Sequence, residues 1–152
     1  MESLKRASKV LALISGIFLT IVTFISYWSI YSLTQSYSQI SVVIPLVLLF
    51  IGLLGGILLI VSTFFIKSTK LMSAIMIAIG TTLGLAVTIF LIIVSASLTT
   101  VSKESTVNVA SRFNNIVMYV LPFFVMSNAL GIVSTIMIMN SAFAKPKEED
   151  IK

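Results

Sequence analysis

Charge in this chain is confined to a few short places, and that confinement limits the possible folds more than any motif does. Lys5, Arg6 and Lys9 precede an uncharged stretch that runs from Val10 to Ile66. Lys67 and Lys70 interrupt it, and a second uncharged stretch runs from Leu71 to Ser102. Lys103, Glu104 and Arg112 mark a loop, the last uncharged stretch runs from Phe113 to Ala144, and the tail from Lys145 to Lys152 is mostly charged. A membrane helix needs about 20 mainly apolar residues, so the first stretch is long enough for two. It divides at Thr34-Gln35-Ser36-Tyr37-Ser38-Gln39, its only sustained polar run. Pro45 then falls in the first turn of the next helix, where its missing N–H costs little. The expected spans are residues 10–33, 42–66, 71–98 and 114–139.

Composition agrees with a bilayer and not with water. Hydrophobic residues make up 58% and charged residues 10% of the 152, against about a quarter charged in an ordinary soluble chain. A soluble domain of this size has too much surface to cover with so few ionisable groups. Lipid tails remove that requirement. The apolar runs are continuous and do not alternate at period two, which selects helices over membrane strands.

The turn Lys67-Ser68-Thr69-Lys70 is so short that the second and third spans must be antiparallel neighbours. The first two spans form a hairpin at the other side. The expected fold is therefore all-α: one integral membrane domain over residues 1–152, an up-down-up-down four-helix transmembrane bundle. Eight of the ten basic residues fall in the N-terminal tail, the Lys67–Lys70 turn and the C-terminal tail. The positive-inside rule places these, with tails 1–9 and 145–152, in the cytoplasm, the cell membrane being the expected location. Tyr27, Trp28, Tyr31 and Tyr37 cluster at the opposite end of the first span, where an outer aromatic belt belongs. The first apolar run extends to about residue 33 without a small-x-small site ahead of Tyr27, so it reads as a retained span and not a removed signal. No N-x-S/T sequon occurs.

Small residues recur at four-residue spacing: Ala12 and Gly16, Gly52 and Gly56, Gly80 and Gly84, Ser127 and Gly131. That spacing stacks them on one side of each helix, where backbones can approach closely. They are candidate helix-packing positions, either inside the bundle or as an oligomerisation face. Asn128 is the most polar side chain near a midplane, and an unpaired amide there would cost a few kcal/mol. Thr20, Thr23, Thr81, Thr82 and Thr88 lie at similar depth as possible partners. Pro122 removes one backbone donor about two turns into the last span, which predicts a kink. The loop around Ser102–Arg112 and the tail from Lys145 read as solvated segments, the tail alternatively as a docking strip for a soluble partner.

The residues that are missing exclude much. There is no Cys and no His, so thiol chemistry, imidazole proton relays and the usual haem or zinc ligands are out. No ionisable side chain other than tyrosine lies inside a span, although proton- and ion-coupled carriers need one. A serine nucleophile would have no intramembrane base to activate it. The net charge of +5 reads as a topology signal and a contact to anionic lipid. No basic stripe interleaves with aromatics, so no nucleic-acid partner is expected. The expectation is a non-catalytic accessory or structural subunit of a larger membrane assembly, such as a respiratory-type complex or an envelope layer. Its partners would be membrane lipid and other transmembrane subunits or copies of itself, with no cofactor. The alternative is a small homo-oligomeric channel or carrier for neutral or apolar solutes.

Overall fold

The computed structural model describes residues 2–38, 40–66, 70–101 and 107–143. Nearly all of them lie in four helices: α1 (Glu2–Ser36), α2 (Val43–Phe65), α3 (Lys70–Val101) and α4 (Val107–Phe143). Each is long and apolar enough to cross a membrane. Even α2, the shortest at 23 residues, spans about 35 Å at 1.5 Å per residue, against a hydrocarbon core of about 30 Å. Helices satisfy every backbone donor and acceptor within the segment, which hydrocarbon demands. The chain is a membrane protein built as a four-helix bundle.

The helices outrun the apolar spans. α1 starts at Glu2, so Lys5, Arg6 and Lys9 ride on its first turns and do not form a loose tail. Glu2 and Arg6, one turn apart and both exposed, come within 4.0 Å, a pairing of little energetic weight in water. α4 starts at Val107, so Arg112 belongs to a helix and not to a loop. Its guanidinium carbon lies 5.8 Å from the centre of the Tyr37 ring, a cation–π geometry that ties the start of α4 to the α1–α2 connection. Pro45 is the third residue of α2 and fully buried. α4 continues as α-helix through Pro122. Lys67 to Thr69, the Lys103–Glu104 region and the tail 145–152 lie outside the described residues.

The four helices stand in a ring. α1 packs on α2 and α4, α3 packs on the same two, and the backbones of diagonally opposite helices stay largely apart. The centre is filled by side chains, with Leu19, Leu48, Leu59, Ile77, Leu91, Phe113, Phe124 and Ile138 almost fully buried. Leu19 is the central plug. Its Cδ2 reaches both the Gly55 surface of α2 and the Gly84 surface of α3. Outside, large apolar side chains such as Trp28, Phe50 and Phe64 are more than 70% exposed. Water would penalise such a surface heavily, whereas lipid tails solvate it. The start of α1 lies beside the end of α4 and shares a depression, through Lys5 and Lys9, with Ile66 at the end of α2. One end of the bundle is therefore the basic end.

Candidate functional site

Among the described residues, the polar groups of the bundle interior form an arrangement with more than apolar chemistry, and α1 and α4 carry its most regular part. Ser8 and Ser15 are seven residues apart on α1, and Ser127 and Ser134 are seven apart on α4. Seven residues make close to two helical turns, so each pair lies on one stripe. The antiparallel helices bring Ser8 to Ser134 and Ser15 to Ser127. Ser8 Oγ donates to the Ser134 carbonyl at 3.0 Å, and Ser134 Oγ donates back to the Ser8 carbonyl at 2.8 Å. Ser15 Oγ donates to the Ser127 carbonyl at 2.7 Å, and Ser127 Oγ to the Ser15 carbonyl at 2.8 Å. All four serines are fully buried. A helical carbonyl keeps a second lone pair after its own helix bond, so these acceptors are free to serve. The seven-residue serine spacing was visible in the sequence, but four-residue spacing drew attention to Ser127 and Gly131 instead.

The glycines are apertures for neighbouring helices. A Cβ built on Gly16 would stand 2.9 Å from the Gly56 carbonyl oxygen and 2.8 Å from Ile60 Cγ1, and one on Gly56 would meet the Thr20 hydroxyl. A Cβ on Gly52 would collide with Thr23. These contacts join α1 to α2. Between α2 and α3 the backbones themselves meet: a Cβ on Gly80 would lie 2.9 Å from the Gly55 carbonyl oxygen, and one on Gly55 would lie 3.0 Å from that of Gly80. Gly55 was not singled out from the sequence, yet it and not Gly56 faces α3. On the α3–α4 side, Gly84 receives the Asn128 side chain, and a Cβ on Gly131 would stand 2.5 Å from the Thr81 hydroxyl. Ala12 is fully buried on α1. The small residues thus lie against helices of the same chain.

Asn128 is buried and bonded. Its Nδ2 donates to Thr88 Oγ1 at 2.9 Å, and Thr88 Oγ1 donates in turn to the Gly84 carbonyl at 2.9 Å. Of the five threonines at similar depth, Thr88 is the partner. Thr20 and Thr23 are turned toward α2 and do not meet Asn128. Thr20 Oγ1 donates to the Gly16 carbonyl at 2.8 Å, while Thr23 Oγ1 is fully buried without a hydrogen-bond partner. Thr81 and Thr82 donate back to their own helix. Towards the end of α3, Ser95 hydrogen-bonds Asn114 of α4.

Thr23 apart, these hydroxyls and the Asn128 amide donate to carbonyls or to each other. Among the described residues no group of His, Cys, Asp or Glu could hold a metal ion. What the arrangement can do is align helices. Each interhelical hydrogen bond contributes about 1 kcal/mol or less in a bilayer, because the separated helices find other partners. No protein-family model, curated protein or solved structure matches this chain.

Proposed function

We propose that this chain is a non-catalytic accessory subunit that packs within a larger membrane-embedded assembly. One observation carries the reading. Among the described residues, the buried side-chain hydrogen-bonding groups, Thr23 and Ser141 apart, have partners within the chain, and the surface left over for the surroundings is a broad field of large apolar side chains. Such a body offers lipids and neighbouring helices shape and apolar contact, and its described interior leaves few polar groups free for a solute. The small-residue faces are covered by sister helices, so an assembly would form through the outer apolar surface and not through the GxxxG positions. The homo-oligomeric channel gains little support, since Asn128, Thr88 and the four seam serines are turned inward and the centre is plugged by Leu19.

Extraction in mild detergent tests this reading. Co-purification with other membrane chains at fixed stoichiometry is expected, and a self-contained oligomer of this chain alone would overturn it. The proposed orientation puts both termini in the cytoplasm of a cell-membrane protein. The sequence contains no cysteine, so single cysteines introduced at Ser3 and Ser38 report it directly. Ser38 labels from outside and Ser3 only after permeabilisation.

A further inference from the structure

Asn114 and Asn128 stand fourteen residues apart on α4, close to four whole turns, so both face α3. Asn128 is buried and its amide donates to Thr88. Asn114 is only half-buried and does the reverse. Its Oδ1 accepts from Ser95 Oγ, and its Nδ2 donates to nothing among the described residues. Beside that amide the two helices part around a hollow of about 290 Å³. The hollow is sorted along its length. Ser95, Thr99 and Asn114 lie at the end away from the basic end of the bundle, and Ile92, Met118 and Leu121 line it towards the middle. Thr99 Oγ1 donates back to its own helix, which leaves the Asn114 amide as the unspent side-chain donor of the hollow.

Depth fixes what can meet that donor. Leu19 Cδ2 touches both Gly55, at the middle of α2, and Gly84 of α3, and Gly84 receives Asn128. That level is the middle of the bundle. At 1.5 Å per residue, Ser95 lies about 16 Å from Gly84 and Asn114 about 21 Å from Asn128, just past a hydrocarbon half-thickness of about 15 Å. Ile92 and Leu121 lie about 10–12 Å out, inside the hydrocarbon. The polar end of the hollow thus stands where glycerol ester groups lie, and the apolar end where acyl chains lie. An ester carbonyl accepts hydrogen bonds and donates none, which matches the N–H groups left over on Asn114. The volume falls at the lower limit of ligand-sized pockets, about 300 Å³. That suits one acyl chain and not a helix about 10 Å across. We propose that this hollow is a specific lipid site, in which Asn114 Nδ2 donates to the ester carbonyl of a diacyl glycerophospholipid and one acyl chain lies against Ile92, Met118 and Leu121.

The test uses the full chain in a neutral detergent. It is titrated separately with dimyristoyl phosphatidylcholine and with the dialkyl ether analogue, which has the same headgroup and chain length but no carbonyl. Native mass spectrometry counts the lipid retained. The ester lipid should bind about fivefold more tightly than the ether, the ratio that one hydrogen bond supplies in a bilayer. Asn114→Leu should erase that ratio, and so should Asn114→Asp, which keeps an acceptor for Ser95 but no donor. Ile92→Trp, at an exposed position, should fill the hollow and weaken both lipids alike. Asn115→Leu, which removes an exposed amide outside the hollow, should leave the ratio unchanged. Equal binding of ester and ether lipid, a ratio that survives both Asn114 variants, or one that Asn115→Leu also erases would each overturn the proposal. So would the absence of any retained lipid, because solvent or a partner chain would then meet the amide.

Discussion

Ser15 and Ser127 bond each other twice across the α1–α4 interface, each hydroxyl donating to the other's backbone carbonyl at 2.7 and 2.8 Å. Ser8 and Ser134 repeat the exchange two turns away. The repeat matters because it sets both the rotation and the axial register of two helices that are otherwise apolar. A shift by one residue would turn both serine pairs out of contact.

Removing one of these hydroxyls is predicted to be mild. Ser15→Ala and Ser127→Ala each lose one interhelical bond, and the freed carbonyl keeps its own helix bond. Each should lower stability by about 1 kcal/mol or less. Ser15→Leu should cost several times more, because the fully buried site has no room for the larger side chain. Reversible unfolding in mixed micelles measures both. Equal costs for Ala and Leu would contradict a closely packed seam.

Gly80 and Gly55 predict a different kind of sensitivity. A Cβ at Gly80 would stand 2.9 Å from the Gly55 carbonyl oxygen, and backbone cannot rotate away as a side chain can. Ala in place of Gly improves helix propensity by about 1 kcal/mol, while overpacking costs typically 1–3 kcal/mol. The clash should win, leaving Gly80→Ala less stable than the parent. Because Gly80 faces α2 of the same chain, the substitution should reduce stability without changing the number of copies in the complex, which light scattering in detergent would report.

Thr23 and Thr88 should respond to the same substitution with opposite signs. Thr23 Oγ1 is buried without a partner, so Thr23→Val removes an unmet polar group while keeping the shape. It should be neutral or stabilising by about 1 kcal/mol. Thr88→Val removes the acceptor of Asn128 and leaves a buried amide unpaired, at a cost of about 1–3 kcal/mol. The pair, measured side by side in one unfolding assay, tests the assigned hydrogen bonds independently of how well either protein expresses.

The crossings were legible in the sequence because hydrocarbon excludes charge, and the positions of Lys67, Lys70, Lys103 and Arg112 bracket the apolar runs. The true helix ends were not. Lys5, Arg6 and Lys9 are good helix formers, so α1 continues past the hydrocarbon to Glu2. Apolarity marks where lipid stops, not where backbone hydrogen bonding does. The partner of Asn128 was likewise beyond reach, because hydropathy gives the depth of Thr20, Thr23 and Thr88 but not which neighbour each one faces. The four-residue spacing of small residues identified buried faces without showing which helix would cover them. Gly52 and Gly56 turn toward α1, while Gly55, one residue away, turns toward α3.

Solute flux through liposomes containing this chain alone tests most directly whether its polar interior is closed and committed to packing. Permeation of small neutral solutes should be no faster than through empty liposomes, for the parent chain and for Asn128→Leu alike. Flux from the parent chain that Asn128→Leu abolishes, with the bundle still folded, would contradict a closed interior.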